Sequence, residues 1–209
     1  MARSQDFDQT VAMPPGLTTA AIRKSIDYIE REAAALIDIY FEQMNVFSAV
    51  VGILGTKALD LHSVYEKVKH SGLAQTRFPD LCLRGCNPRQ SSRHCLESKG
   101  SKRPWEIQSH YDHEGWYVVW RYLVDPTESI ERGKPVIVWR VDIVYLKKGD
   151  WKYEKSAAGE GGGGRTHTFG VRRAGAKLKG CAVYRRSDIA LSRGKPIPLN
   201  GNGADGSDS

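Results

Sequence analysis

Two long runs of β-branched and aromatic residues constrain the fold of this 209-residue chain more than any other feature. The first is Trp116-Tyr117-Val118-Val119-Trp120-Arg121-Tyr122-Leu123-Val124. The second is Pro135-Val136-Ile137-Val138-Trp139-Arg140-Val141-Asp142-Ile143-Val144-Tyr145-Leu146. Such residues fit a pleated, buried surface, and the segment between them, 125–134, carries loop formers. A long antiparallel pair is therefore expected, and any sheet has to be built around it.

The N-terminal part is helical in pattern. Thr18 or Thr19 can cap a helix running to about Met44, with Ile22, Ile26, Ile29, Ala33, Leu36, Ile37 and Tyr40 on one stripe. That stripe is read as core, with a dimer interface as the alternative. The apolar stretch Val46–Leu54 fits either a buried helix or a strand, because periodicity does not separate the two. Residues 62–69 read as a further helix. Phe78–Leu83 and Arg93–Lys99 read as short strands joined by a turn-rich loop, 84–92. The expected class is α/β (α+β), with a mixed central β-sheet flanked by helices that are mainly N-terminal. The expected organisation is one domain over 17–191, with a flexible arm at 1–16 and a Gly/Asn/Ser/Asp-rich, disordered tail at 192–209.

The net charge of +7 is unevenly placed, with −2 over residues 1–69 and +9 over the rest. Between Arg165 and Arg186 there are seven basic residues and no acid. A one-sided basic segment suits a phosphate backbone. No apolar run of about 18 residues occurs, so no membrane span is expected. The first sixteen residues lack an apolar signal core, which makes the cytoplasm the default compartment.

The candidate chemistry lies on the two short strands. Asp80 follows Pro79, and after sixteen residues come Glu97-Ser98-Lys99. Alternation places Glu97 and Lys99 on one face, and a hairpin sets Asp80 opposite them. Pro79 falls near a strand start, where a missing N–H is tolerated. Two carboxylates and an ammonium suit phosphodiester hydrolysis, because carboxylates hold a hard divalent cation that activates water.

This pattern resembles the signature of the PD-(D/E)XK nuclease superfamily, in its type II restriction endonuclease branch. The resemblance covers roughly residues 78–99. It implies a restriction-endonuclease-like core in which Asp80 and Glu97 hold Mg²⁺ and Lys99 orients or helps deprotonate the attacking water. It also implies an added acid from a preceding helix, for which Glu66 is the candidate. The implied substrate is double-stranded DNA, and the implied assembly is a homodimer with one site per subunit. A structure-specific repair or resolvase-type nuclease and a non-catalytic DNA-binding protein are the alternatives.

Other segments carry weaker signals. Four consecutive glycines, Gly161–Gly164, precede Arg165, Thr166 and His167, and suggest a loop that contacts DNA. The P-loop pattern is lacking there. Arg172, Arg173, Lys177 and Lys179 extend the basic stretch, and Gln108 and His110 follow the active strand on the expected DNA side. His110-Tyr111-Asp112-His113 lacks the Glu placement of a zinc protease helix and reads as groove or sheet edge. Asp142, Asp150, Glu154 and Glu160 form a rival acidic set. Cys82, Cys86 and the His94-Cys95 pair offer zinc-type ligands, yet Cys82 and Cys95 fall within apolar strands, so structural zinc is not expected. Disulfides are not expected in a reducing compartment.

Overall fold

A computed structural model describes residues 2–69, 78–87, 91–155 and 167–199. The helices are α1 (Thr19–Ala34), α2 (Ile37–Glu42), α3 (Met44–His62) and α4 (Ala174–Lys177). The strands are β1 (Tyr65–Lys67), β2 (Leu81–Leu83), β3 (Cys95–Ser101), β4 (Gln108–Ser109), β5 (Gly115–Val124), β6 (Val136–Leu146), β7 (Trp151–Lys155), β8 (His167–Val171), β9 (Ala182–Arg185), β10 (Ile189–Ser192) and β11 (Lys195–Pro198). The expected α+β class holds. A six-stranded mixed sheet in the order β1-β2-β3-β5-β6-β9 forms the centre, with β3 and β5 parallel and the other pairs antiparallel.

The long pair β5–β6 is the middle of that sheet, as its composition requires. One face packs against α1 and α3 through Ile22, Ile26, Ile29, Phe47, Val51 and Leu59, all fully buried. The other face lies under the small sheet β4-β8-β7 and α4, around Tyr117, Val119, Trp151 and Leu178. A register shift between Arg121 and Tyr122 leaves Trp139 unopposed, and its ring fills a third cluster with Leu123, Ile137 and Ile189.

Thr18 is the N-cap of α1, accepting from the Ala21 amide at 3.1 Å. The expected continuous helix to Met44 instead breaks at Ala35–Leu36 and again at Gln43. Those turns bring Tyr40 edge-on to Phe47 at 5.6 Å, so tertiary packing overrides the stripe, and Leu36 is left exposed. Val46–Leu54 resolves as part of α3. This helix is long and apolar enough, by length and composition, to cross a bilayer, but its inward side is spent on the core. It lies unusually close to β3. A Cβ on Gly100 would overlap the Ser48 carbonyl oxygen, and one on Gly52 would come within 3.1 Å of the Gly100 nitrogen.

Both ends depart from expectation. The arm is docked: Phe7 bridges Tyr184 at the β9 edge, the Asp8 amide donates to the Val183 carbonyl at 3.0 Å, and buried Asp6 accepts from the Ser187 amide at 3.1 Å. Residues 192–198, assigned to the tail, complete a hairpin of β10 with β11. Residues 200–209 lie outside the described part.

Beneath the small sheet, Asp142 is fully buried between Arg121 Nε at 2.8 Å and Arg140 Nε at 2.6 Å. Arg121 Nη1 also donates to the carbonyls of Arg103 (2.8 Å) and Glu106 (2.5 Å), and Arg140 Nη2 donates to that of Leu178 (3.3 Å). Asp142 thus belongs to a structural cluster. The rival acidic set is not assembled: Asp150 pairs with Lys177 and Glu154 with Lys152, while Glu160 lies outside the described residues. Asp142→Ala would strand two buried guanidinium groups, and we expect a loss of about 3–5 kcal/mol in urea unfolding. An unchanged midpoint would show that the cluster contributes no net stability.

Candidate active site

The β2–β3 hairpin forms as the residues imply, with Leu81 opposite Leu96 and Cys82 opposite Cys95. Asp80 extends it by one position: its amide donates to the Leu96 carbonyl at 3.0 Å, and its Oδ2 accepts from the Ser98 amide at 2.9 Å. Ser98 turns its side chain to the other face, where its Oγ donates to the Gly52 carbonyl and accepts from Trp120 Nε1. That double anchor fixes the strand between Glu97 and Lys99.

Glu97 is buried. Its Oε1 lies 2.7 Å from Lys99 Nζ, and its Oε2 has no hydrogen-bond partner among the described residues. Burial, and then the neighbouring charge of Glu97, push the Asp80 carboxyl from 3.8 up to about 6, against the opposing pull of the Ser98 amide, Lys99 and Lys67. Tyr117 lies opposite Glu97 in the β3–β5 register and donates from its hydroxyl to the His113 carbonyl at 3.1 Å. Burial and the two carboxylates raise its phenol well above the ordinary range. Burial, assisted by Lys99, lowers the imidazole of His113 in spite of Asp112. Asp80, Glu97 and Lys99 are thus brought together.

Glu66 is not brought to them. Residues 65–67 form an edge strand, not a helix, because the segment pairs with β2, Glu66 falling opposite Cys82. The Glu66 side chain turns to Arg84, at 3.6 Å, and accepts from the Gly85 amide at 3.3 Å. Its neighbour Lys67, on the alternate face, acts on Asp80 instead. Gln108 and His110 are exposed at β4 and just beyond it. Gln108 and Lys99 line a cavity of about 580 Å³ together with Asn45, Ser101 and Lys102.

Arg172, Arg173, Lys177 and Lys179 surround α4, on the sheet face that carries Glu97 and Lys99. Lys177 is paired with Asp150 at 2.9 Å, and Arg172 Nε donates to the Trp151 carbonyl at 2.8 Å. Within the same basic run, Arg186 is a structural residue, held by Asp188 and Glu131. Arg165 and Thr166 lie outside the described residues, and His167 begins β8.

Cys82 and Cys95 are joined as a disulfide, which corrects the expectation of free thiols. Their register makes them directly opposed, with Cα atoms 4.3 Å apart, matching the narrow pairs of an antiparallel ladder. Cys86 and Cys181 are free. Among the described residues, no group of three His, Cys, Asp or Glu side chains converges as a metal site.

No protein-family model, curated protein or solved structure matches this chain. The resemblance to PD-(D/E)XK nucleases accordingly rests on the hairpin alone. Sequence reasoning missed the roles of Ser98, Lys67 and Tyr117, and read His113 only as a groove or sheet-edge residue. Tyr117 could have been found from parity along β5, once a neighbour for β3 was assumed.

A carboxyl with its pKa raised is an unfavourable charge in the folded chain above about pH 6, and that penalty disappears as pH falls through 6 towards 3.8. Asp80→Asn should therefore be more stable than the parent well above pH 6, by roughly 1–3 kcal/mol, with the difference vanishing in acid. Thermal melts across pH would check this; a variant less stable at every pH would contradict it.

Proposed function

We propose that the chain is a Mg²⁺-dependent DNA endonuclease of the type II restriction kind, hydrolysing phosphodiester bonds in double-stranded DNA. The observation that carries this reading is the pairing of a half-buried Asp80 with a buried Glu97, with Glu97 Oε2 unpartnered and Lys99 alongside. Two carboxylates fit a hard cation that keeps several waters and takes its remaining ligands from phosphate. Asp80 and Glu97 would hold it. When bound, it supplies charge neutralisation at the phosphate and a more acidic water.

The chain's own residues account for the rest. The Ser98 amide fixes the Asp80 carboxylate through its Oδ2. Lys99, steadied by Glu97, can donate from Nζ to the attacking water or to a phosphate oxygen. The Tyr117 ring closes the floor behind the carboxylates and keeps bulk water out. Gln108, His110, Arg172, Arg173 and Lys179 provide exposed polar and basic groups for the DNA.

Cutting both strands calls for two copies of the chain. An outward apolar surface on α2 and α3, with Ile53 62% and Phe41 60% exposed, supports a homodimer. Light scattering should return twice the 23.3 kDa chain mass.

Incubation of purified protein with large unmethylated DNA should give discrete fragments with Mg²⁺ and none with EDTA. Alanine at Asp80, Glu97 or Lys99 should lower the rate by roughly a hundredfold or more while sparing much of the binding. A fully active Lys99→Ala protein would remove the assignment.

A further inference from the structure

Four aromatic rings run in series from solvent to the carboxylate pair. Tyr111, 44% exposed, lies 5.3 Å from the His113 ring; His113 lies 5.4 Å from Phe78; Phe78 lies 6.1 Å from Tyr117. The inner end is tied to the site twice, since Tyr117 pairs with Glu97 in register and Phe78 leads through Pro79 into Asp80. Successive interplanar angles of 42°, 31° and 30° keep the rings tilted toward one another and not edge-on.

Burial accounts for Tyr117, Phe78 and the inner part of His113, but not for an exposed ring at the outer end. The segment that carries Tyr111 is held in place: Ser109 is buried, and Ser109 Oγ accepts from the Tyr111 amide at 3.4 Å. Two lysine–carboxylate pairs flank the series. Lys148 Nζ is 4.0 Å from Asp112, beside Tyr111 in the chain, and Lys99 stands at the inner end. An exposed aromatic ring beside a candidate phosphodiester site is able to stack on an unstacked base.

We propose that Tyr111 is the stacking platform for an unpaired nucleobase beside the scissile phosphate, so that the DNA reaches the site with that nucleotide out of the duplex stack. The proposal rests on the nuclease reading of Asp80, Glu97 and Lys99. Its physical basis is that a paired base already has both faces covered by its neighbours. A ring at the rim of the site can stack only on a base that is single-stranded or has swung out.

The test uses the full chain and DNA carrying 2-aminopurine, whose fluorescence falls on stacking. The probes are a single strand, a perfect duplex, and a duplex with 2-aminopurine as a single unpaired nucleotide, each with Ca²⁺ in place of Mg²⁺. Quenching is expected with the first and third probes. Tyr111→Ala should abolish it and weaken binding of those two about tenfold, with duplex binding unchanged. Tyr111→Phe, which keeps the ring, should behave as the parent. Equal quenching by the Tyr111→Ala protein, or loss with Tyr111→Phe, would overturn the proposal.

Cleavage of the same probes with Mg²⁺ separates the two readings. Tyr111-dependent quenching by a protein that also leaves large unmethylated DNA intact with Mg²⁺ would remove the hydrolytic reading and keep the platform as a base-binding site. Cleavage that is indifferent to Tyr111→Ala, with no quenching, would remove the platform and keep the nuclease.

Discussion

One carboxylate buried beneath two guanidinium groups holds the rest of the molecule in position. Asp142 engages Arg121 from β5 and Arg140 from β6, at the centre of the main sheet. Through Arg121 the cluster grips the carbonyls of Arg103 and Glu106, on the crossover that carries the chain from β3 to the parallel β5. Through Arg140 it reaches the Leu178 carbonyl and lies 4.4 Å from the Trp105 ring centroid. A buried guanidinium needs its hydrogen bonds as well as its counter-ion, so neither loop can lift without stripping a buried arginine of carbonyl acceptors. One wall of the cavity beside Lys99 is fixed by this means.

The candidate site has the opposite balance. At Asp142 two cations share one anion within a closed space. At Asp80 and Glu97 two anions lie close together, with Lys99 paired to Glu97 and Lys67 and Lys99 acting on Asp80 from further off. The structural cluster keeps one positive charge in excess, satisfied by backbone carbonyls, whereas the hairpin keeps excess negative charge and an unpartnered oxygen. Repulsion of this kind is costly in the free protein and becomes useful when a ligand supplies the missing positive charge.

Much of this was legible in the residues. The β5–β6 pair, the capped first helix and the hairpin bearing Asp80, Glu97 and Lys99 all follow from local composition and period-two alternation. What failed was decided by distant contacts. Residues 65–67 became an edge strand because β2 offered them a ladder, which turned Glu66 away and brought Lys67 in. The first helix broke where Tyr40 found Phe47. The arm and the early part of the tail acquired structure from β9 and from their own pairing, which composition does not report. Cys82 and Cys95 were each placed in strands correctly, yet their direct opposition depends on the exact register. The crossover between β3 and β5, which brings Tyr117 and His113 to the site, has no local sequence signature at all.

The close approach of α3 to β3 has a mechanical consequence. At Gly52 and Gly100 the two elements meet main chain to main chain, with no side chain between them to yield. A shift of the helix along or across its axis therefore passes to the strand undamped, and Glu97 and Lys99 ride on that strand. The opposite side of the same helix carries the outward Ile53 and Leu61. Whatever presses on those two residues presses, through a rigid backbone contact, on the carboxylate and the ammonium of the site.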